Sequence, residues 1–274
     1  MKVFISVDME GIAGIAHGRQ VSRGSDDYPE SRRLMTEEAN AAVAGSFEGG
    51  ASSVVVNDSH GDMYNLLQEA LDARAELTLG SPKVPLSMMQ GLGPEFGVAL
   101  FVGYHAAAGT EAAVLDHTYS GRTLHDVRVN GESFSEAELN AAVAGTFGVP
   151  VGLVTGDDKI CEVAFKRLPG VRTVAVKEGY GAAVARSLHP SAARAAIREG
   201  AAAAVGGASD LEPFRPPGPY RFEVDLMRSG MADLCFLVPG SRRTGPRTLL
   251  FETEDFLEGF RCLLAWMYLA SNDS

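Results

Sequence analysis

Short apolar runs, each followed by polar or glycine-rich residues, recur along the chain and predict the strands of a sheet. The first run, residues 3–7, reads Val-Phe-Ile-Ser-Val and is followed by Asp8-Met9-Glu10-Gly11. Apolar, partly β-branched runs of this length are typical of buried strands in α/β proteins. Similar runs predict further strands at residues 52–57, 77–79, 97–103, 151–155 and 171–176.

The segments between these runs predict helices. The first helix is expected from residue 28 to about residue 48, where Gly49-Gly50 favours its end. Other helices are expected at about residues 65–73, 135–147, 158–167 and 191–204. This repeated alternation indicates a three-layer α/β/α fold with a largely parallel or mixed sheet and helices on both faces.

The later part of the chain predicts a smaller α/β portion. Residues 123–129 alternate and turn at Asn130-Gly131, which is typical of a hairpin. Residues 206–219 are rich in glycine and proline and predict a boundary between a larger α/β domain, 1–205, and a C-terminal α/β portion, 206–274, packed on it. A single domain is the alternative. Strands at 220–226 and 248–251, a helix-like segment to 237 and a last helix from about 254 are expected there.

Composition and charge exclude several classes of function. The 274 residues carry 35 acidic and 24 basic side chains, a net charge of −11, with no cluster of lysine or arginine, so no nucleic-acid partner is expected. Cys161, Cys235 and Cys262 lie far apart and are interpreted as buried small hydrophobes. Neither a signal peptide nor an apolar segment of membrane-spanning length is visible, which predicts a cytoplasmic protein with no membrane partner.

Three predicted strands end in acidic or imidazole side chains. Asp8 and Glu10 follow the first strand, Asp58 and His60 the second, and His105 the strand at 97–103. The carboxyl ends of strands in open α/β sheets lie along the edge that binds ligands. Carboxylates and imidazoles together suit zinc, manganese or cobalt. Caps of turns and hydrogen-bonded core histidines are the structural alternatives for the same residues.

The sequence alone leaves the roles of several other acidic and histidine residues open. His117 lies in a loop rich in glycine and alanine, where a catalytic role and a surface role are both consistent with the pattern. Glu132, Glu136 and Glu138 lie near the start of a predicted helix, where a glutamate can serve only the helix dipole. His125 alternates in phase with Val127 and Val129 and is interpreted as structural.

The Asp157-Asp158 pair predicts a helix cap, with a supporting role at the site as the alternative. The chain lacks the Gly-x-Ser-x-Gly and His-Glu-x-x-His patterns, so a serine hydrolase and a thermolysin-like protease are not indicated.

Taken in order, these motifs resemble one family, the D-aminopeptidases of the dipeptide-transport-operon type, also called peptidase family M55. The matching segments span residues 1–180 and include 6–12, 35–40, 56–60, 103–106, 139–141, 156–158 and 176–177, together with His117. The resemblance implies two zinc ions per chain, with Asp8 bridging them. The ligands that it implies are acidic and imidazole side chains: Asp8, Glu10, His60, His105 and Glu136.

The resemblance also assigns roles and an activity. His117 corresponds to the family's catalytic histidine, and Glu138 stays an alternative to Glu136 because the chain reads Ser-Glu-Ala-Glu where the family has a Gly-Glu pair. The implied reaction is hydrolysis of short peptides or amides with a free N-terminal D-residue such as D-alanine, by water activated between two metals. A ring-shaped homodecamer is also implied.

Two other functions stay open at this stage. One is a two-metal hydrolase of the same fold that acts on another small amide or ester. The other is a non-enzymatic, peptide-binding component of a transport system, which would be expected to carry a secretion signal.

Overall fold

A seven-stranded sheet lies at the centre of the part of the chain that the computed structural model describes, residues 1–273. Strands β1 to β12 span, in chain order, Lys2–Val7, Ser53–Asp58, Ala75–Thr78, Phe96–Tyr104, Leu124–Val129, Glu132–Ser133, Val151–Asp157, Arg172–Gly181, Val184–Ser187, Tyr220–Leu226, Arg242–Arg243 and Thr248–Thr253. Helices α1 to α7 span Gly18–Val21, Tyr28–Glu48, Glu136–Thr146, Asp158–Arg167, Pro190–Gly206, Ser229–Cys235 and Phe256–Ala270.

The central sheet has the strand order β3-β2-β1-β4-β7-β8-β9. Its neighbours pair in parallel except β8 and β9, which are antiparallel. Val7, at the end of β1, is paired with Asp58 of β2 on one side and with Val102 of β4 on the other. This register brings the carboxyl ends of three strands to one edge of the sheet.

Helices cover both faces of this sheet, because the buried side chains of its strands alternate between two cores. In β1, Val3, Ile5 and Val7 pack in the core that α2 and α5 share, whereas Phe4 packs in the core that includes α3, α4 and α7. The expected three-layer α/β/α fold with a mixed sheet is therefore confirmed. Each helix within residues 1–273 is too short or too polar to cross a membrane.

A second sheet, with the order β11-β12-β10-β5-β6, is antiparallel within the described residues. It combines β5 and β6, which precede residue 206, with β10 to β12, which follow it. Asn130 and Gly131 join β5 to β6 with φ values of 55° and 86°, as a tight hairpin turn requires, so the predicted hairpin is confirmed. The division into domains at residue 205 stays a prediction.

Two local predictions differ from the structure. The helix expected at 65–73 is reduced to a single 3-10 turn at Gln68–Ala70. The backbone N–H groups of Asn65 and Leu66 donate to the Asp58 carboxylate, at 2.5 and 2.7 Å, so that carboxylate fixes the local path of the chain. His125 is exposed and does not share the buried face of Val127, because an irregularity in the pairing of β5 with β10 shifts the alternation there.

Candidate metal centre

The structure brings all five predicted ligands together at the carboxyl edge of the central sheet. His60 Nδ1 lies 2.9 Å from Glu10 Oε2 and 3.3 Å from Asp8 Oδ1. His105 Nε2 lies 3.4 Å from Asp8 Oδ2 and 3.4 Å from Glu136 Oε1. Four of these side chains follow strands β1, β2 and β4, and Glu136 is the first residue of α3. The ligand assignment itself stays a prediction.

A close contact between two backbone segments fixes the turn that carries Asp8 and Glu10. The Asp8 N–H donates to the Val102 carbonyl and the Gly11 N–H donates to the Gly103 carbonyl, both at 2.8 Å. A Cβ atom at Gly11 would lie 2.0 Å from the Tyr104 carbonyl oxygen. Only glycine therefore allows the backbone after Glu10 to approach β4 this closely.

The three histidines of the centre share one hydrogen-bonding pattern. His60 Nε2 donates to the Val21 carbonyl at 2.9 Å, His105 Nδ1 to the Ala106 carbonyl at 3.0 Å, and His117 Nδ1 to the Leu115 carbonyl at 2.8 Å. The second ring nitrogen of each histidine then faces the carboxylates. Histidines that bind metals typically donate their other N–H in this way, which fixes the tautomer and the orientation of the ring.

A cation fits this centre because three buried carboxylates are crowded together and one buried ring nitrogen, His105 Nε2, has no hydrogen-bond partner within residues 1–273. Asp8, Glu10 and Glu136 are 3%, 5% and 3% exposed, so three carboxylates share a nearly dry site. Neutral histidines would turn acceptor nitrogens toward acceptor oxygens. Oxygen and nitrogen donors in this arrangement suit zinc.

Shifts in pKa reflect the same crowding of charge. Burial and the neighbouring Glu10 carboxylate raise the pKa of Asp8. Burial opposes protonation of His60, but the Glu10 and Asp8 carboxylates raise its pKa well above the usual value. Burial likewise opposes a charge on His105, yet Glu136 and Asp8 raise the pKa of that imidazole well above its usual value. Positive charge is therefore stabilised where the carboxylates converge.

Six residues form two neighbouring groups of donor atoms. Asp8, Glu10 and His60 form one group, and His105, His117 and Glu136 form the other, with the donor atoms of each group within 4.8 Å of one another. One Asp8 oxygen faces His60 and the other faces His105. Asp8 thus lies between the two groups, with one carboxylate oxygen toward each.

His117 lies at the open side of the centre. Its side chain is 24% exposed, and its Nε2 atom is 3.8 Å from Glu136 Oε1. The His117 ring therefore reaches both the carboxylates and the adjacent cavity. This position is compatible with the catalytic role that the sequence predicts, which stays a prediction.

Glu138 is turned away from the centre. One oxygen accepts from the Ser135 N–H at 2.8 Å in a capping box, and the other lies 2.8 Å from Arg167 Nε. Glu136, in contrast, points toward His105 and His117. The structure therefore favours Glu136 over Glu138 as the acidic residue of the centre.

The other acidic candidates have structural partners. Asp58 accepts hydrogen bonds from the backbone after His60 and so positions the loop that holds that histidine. Asp157 caps α4 by accepting from the Ile160 N–H, and its second oxygen accepts from the Val114 N–H at 2.9 Å. Both residues support loops of the site from outside it.

Tyr119 was not predicted, because its contribution depends on tertiary contacts. Its φ of 59° is unusual for a non-glycine residue and directs its N–H to Glu136 Oε1, at 2.6 Å. Its hydroxyl donates to Asn140 Oδ1 at 2.7 Å, and Asn140 Nδ2 donates to the Tyr104 hydroxyl at 3.1 Å. Asn140 lies in the motif at residues 139–141, whereas Tyr119 gives no signal in the sequence.

Lys177, in the motif at residues 176–177, lies against the loop that follows Glu10. Its ammonium is buried and donates to the carbonyl oxygens of Glu10, Ile12 and Ile15. Burial lowers the pKa of Lys177 to about 8. Lys177 thereby holds the loop that follows Glu10.

A cavity of about 930 Å³ opens directly onto the centre. Asp8, Glu10, His60, His117 and Glu136 line one part of it. The remaining wall includes three arginines and five methionines: Arg23, Arg122, Arg228, Met63, Met88, Met227, Met231 and Met267. This volume is within the usual range for small-molecule sites and admits a short peptide.

The fold and the centre together define an α/β protein with side chains arranged to hold metal ions at the carboxyl edge of its sheet. The family model Peptidase M55, described as D-aminopeptidase, matches residues 1–265, and the chain belongs to this family. The resemblance inferred from the motifs is thereby confirmed.

Two comparisons agree with this membership. The D-aminopeptidase of Bacillus subtilis (strain 168) is 38% identical over 275 residues, which cover 100% of this chain and 99% of that protein. A solved structure described as the Zn-dependent D-aminopeptidase DppA from Bacillus subtilis, a self-compartmentalizing protease, matches with a TM-score of 0.95 and 37% identity. That match covers 100% of this chain and 99% of that chain.

Proposed function

We propose that this protein is a zinc-dependent aminopeptidase that hydrolyses short peptides or amides with a free N-terminal D-amino acid, such as D-alanine. The observation that carries the proposal is the pair of donor groups around Asp8 at one end of the cavity. Family membership and the D-aminopeptidase description of the relative support the reaction and its stereochemistry.

The proposed ligands divide between two zinc ions. Glu10 and His60 would hold one ion, His105 and Glu136 would hold the other, and Asp8, which has one oxygen toward each group, would contribute to both. When bound, zinc supplies a Lewis acid that polarises the scissile carbonyl. The carboxylates also give this end of the cavity the charge that attracts the α-ammonium group of a substrate.

His117 moves the proton in the proposed reaction. The Leu115 carbonyl holds the Nδ1–H, so Nε2 is the atom that exchanges a proton with the substrate. This nitrogen takes a proton from the attacking water, whose oxygen bonds to the carbonyl carbon, and passes it to the leaving amine as the peptide bond breaks. Tyr119 orients Glu136 through its backbone N–H, and Lys177 holds the Glu10 backbone.

Assembly and location extend the proposal. Because the related structure is described as self-compartmentalizing, we propose a homo-oligomer, with a homodecamer as the expected size. Cys161, Cys235 and Cys262 are buried and free of disulfides within the described residues, as is common in a reducing compartment, so we propose a cytoplasmic location. We also propose that the chain divides into two domains, residues 1–205 and residues 206–274.

The test combines metal content with stereoselective turnover. Protein purified without chelator is expected to contain about two zinc ions per chain, and to cleave D-Ala-D-Ala but not L-Ala-L-Ala. An Asp8→Asn variant should lose metal and activity, whereas Glu132→Gln, at an exposed position of β6, should keep both. Metal with equal cleavage of L-peptides, or with cleavage only of simple esters, would overturn the aminopeptidase proposal.

A further inference from the structure

The cavity beside the metal centre carries charges of both signs. Asp8, Glu10 and Glu136 make one end acidic, and Arg23, Arg122 and Arg228 add positive charge to the rest of the lining. A free dipeptide also carries opposite charges at its two ends. The lining arginines are therefore the residues that could bind the carboxylate end of such a dipeptide.

Two of the three arginines are neutralised by nearby acids. Arg23 lies 3.5 Å from an Asp62 carboxylate oxygen, and its guanidinium stacks 3.8 Å from the centre of the Tyr64 ring. Arg228 lies 3.2 Å from an Asp273 carboxylate oxygen. Both guanidinium groups are already engaged by the protein.

Arg122 differs from both. Its side chain is exposed to the cavity and has neither an ion pair nor a hydrogen bond to any residue among 1–273. A guanidinium group presents a planar fork of N–H donors that matches a carboxylate. Arg122 is thus the lining arginine whose guanidinium group is free to bind an anionic group of a ligand.

The backbone around Arg122 is held close to His117. A Cβ atom built on Gly121 would lie 3.3 Å from the His117 Cβ, so the backbone at residue 121 passes close to the His117 side chain. The Leu124 N–H donates to the Ser120 carbonyl at 2.9 Å, which closes a turn around Arg122. Arg122 therefore projects from an ordered turn beside the proposed proton donor.

Arg122 is also within reach of the far end of a short substrate. It follows Tyr119, whose N–H contacts Glu136, by three residues, which span at most about 11 Å of chain. An extended dipeptide spans roughly 7 Å from its amine to its carboxylate. With the amine at the acidic end, the carboxylate of an extended dipeptide would therefore lie at a distance from the centre that Arg122 can reach.

We propose that Arg122 binds the C-terminal carboxylate of the amino acid that leaves in the reaction, so that free dipeptides are preferred over substrates with a blocked C-terminus. This inference rests on the proposed aminopeptidase function. It adds a residue that selects the substrate by its length and its terminal charge. Arg122 contributes to binding of the substrate and leaves the chemistry to the metal centre and His117.

The test compares two substrates that differ only at their C-terminus, D-Ala-D-Ala and D-Ala-D-Ala amide. With the zinc-loaded protein, Arg122→Gln is expected to lower kcat/KM for the free dipeptide about 10- to 100-fold, mainly through KM, because a charge-assisted hydrogen bond is lost. The same variant should change kcat/KM for the amide less than about twofold. Arg122→Lys should restore part of the preference, since it keeps the charge without the planar fork.

Arg172→Gln is the matched control, because Arg172 is exposed at the start of β8 and does not line the cavity. It should leave both substrates unaffected. An Arg122→Gln variant that loses the same factor on both substrates, or on neither, overturns the inference while the proposed function stands. A zinc-loaded wild-type protein that cleaves neither substrate overturns the proposed function and this inference with it.

Discussion

The imidazole rings of His105 and His117 lie face to face, with their centroids 4.1 Å apart and 12° between their planes. Both rings approach the same atom, Glu136 Oε1, at 3.4 Å from His105 and 3.8 Å from His117. The His105 side chain is 1% exposed, whereas that of His117 is 24% exposed. Burial suits His105 to hold a metal, and contact with the cavity suits His117 to exchange protons.

Replacement of His117 by Gln separates these two roles. The His117→Gln variant should keep its zinc and lose kcat by about 10²- to 10⁴-fold, the usual contribution of a positioned acid or base. Metal content and kcat are measured on the same sample, with His125→Gln as the exposed control. Loss of zinc from His117→Gln would instead identify His117 as a ligand.

Glu136 and Glu138 should respond differently to the same substitution. Glu136→Gln is expected to lower the zinc content, because that carboxylate faces His105 and His117. Glu138→Gln should keep its zinc but lower the free energy of unfolding by about 1–3 kcal/mol, through the weakened cap and the loss of one of the two carboxylate partners of Arg167, which keeps Glu132. Metal analysis and urea denaturation check both results, and zinc loss from Glu138→Gln alone would reverse the assignment.

Lys177 should be important for the stability of the loop after Glu10. Lys177→Met leaves three buried carbonyl oxygens without their donor, so the free energy of unfolding should fall by about 2–5 kcal/mol. Urea denaturation of metal-free protein measures this change without a contribution from zinc binding. Lys166→Met, at an exposed position of α4, is the control and should change stability by less than about 0.5 kcal/mol.

Glu38 predicts a dependence of stability on pH. Burial raises its pKa from the usual 4.5 to about 7 in the folded protein, although the Ala13 N–H donates to one of its oxygens. The folded protein therefore retains a proton that the unfolded chain releases near pH 4.5, and the resulting stability is lost as the pH rises to about 7. A variant without this ionisable group should therefore not lose stability over this range of pH.

Glu38→Gln keeps a neutral side chain at every pH. Relative to this variant, the wild-type protein should lose on the order of 2 kcal/mol of unfolding free energy between pH 5 and pH 7.5. Urea denaturation at several pH values measures the difference, and Glu76→Gln, on an exposed position of β3, serves as the control. If the difference in unfolding free energy between the two proteins does not change with pH over this range, the pKa of Glu38 is not raised by burial.

The sequence predicts the convergence of those candidate side chains that follow strands. Asp8, Glu10, His60 and His105 each come after an apolar run, and parallel pairing necessarily brings such strand ends to one edge of a sheet. The choice between Glu136 and Glu138 could not follow from spacing, because it depends on the contact between Glu138 and Arg167.

Two of the differences arise from carboxylate side chains that bind backbone N–H groups elsewhere in the chain. The predicted helix at 65–73 is replaced because the Asp58 carboxylate binds N–H groups of that segment. The role of Tyr119 arises from a positive φ and from contact with Glu136, 17 positions away in the chain. Neither effect leaves a periodic pattern in the sequence.

The hairpin of β5 and β6 links two segments of the chain that contribute residues to the site. It leads from the segment of His117 and Tyr119 directly to Glu136, and β10 of the C-terminal region pairs with β5 along its length. The segments that flank the hairpin carry Tyr119 and Glu136, which are hydrogen-bonded to each other, so a disturbance of the pairing between β10 and β5 would displace the proposed proton donor and a proposed ligand together. Substitutions in a strand that contributes nothing to the chemistry can therefore alter metal affinity and turnover at the same time.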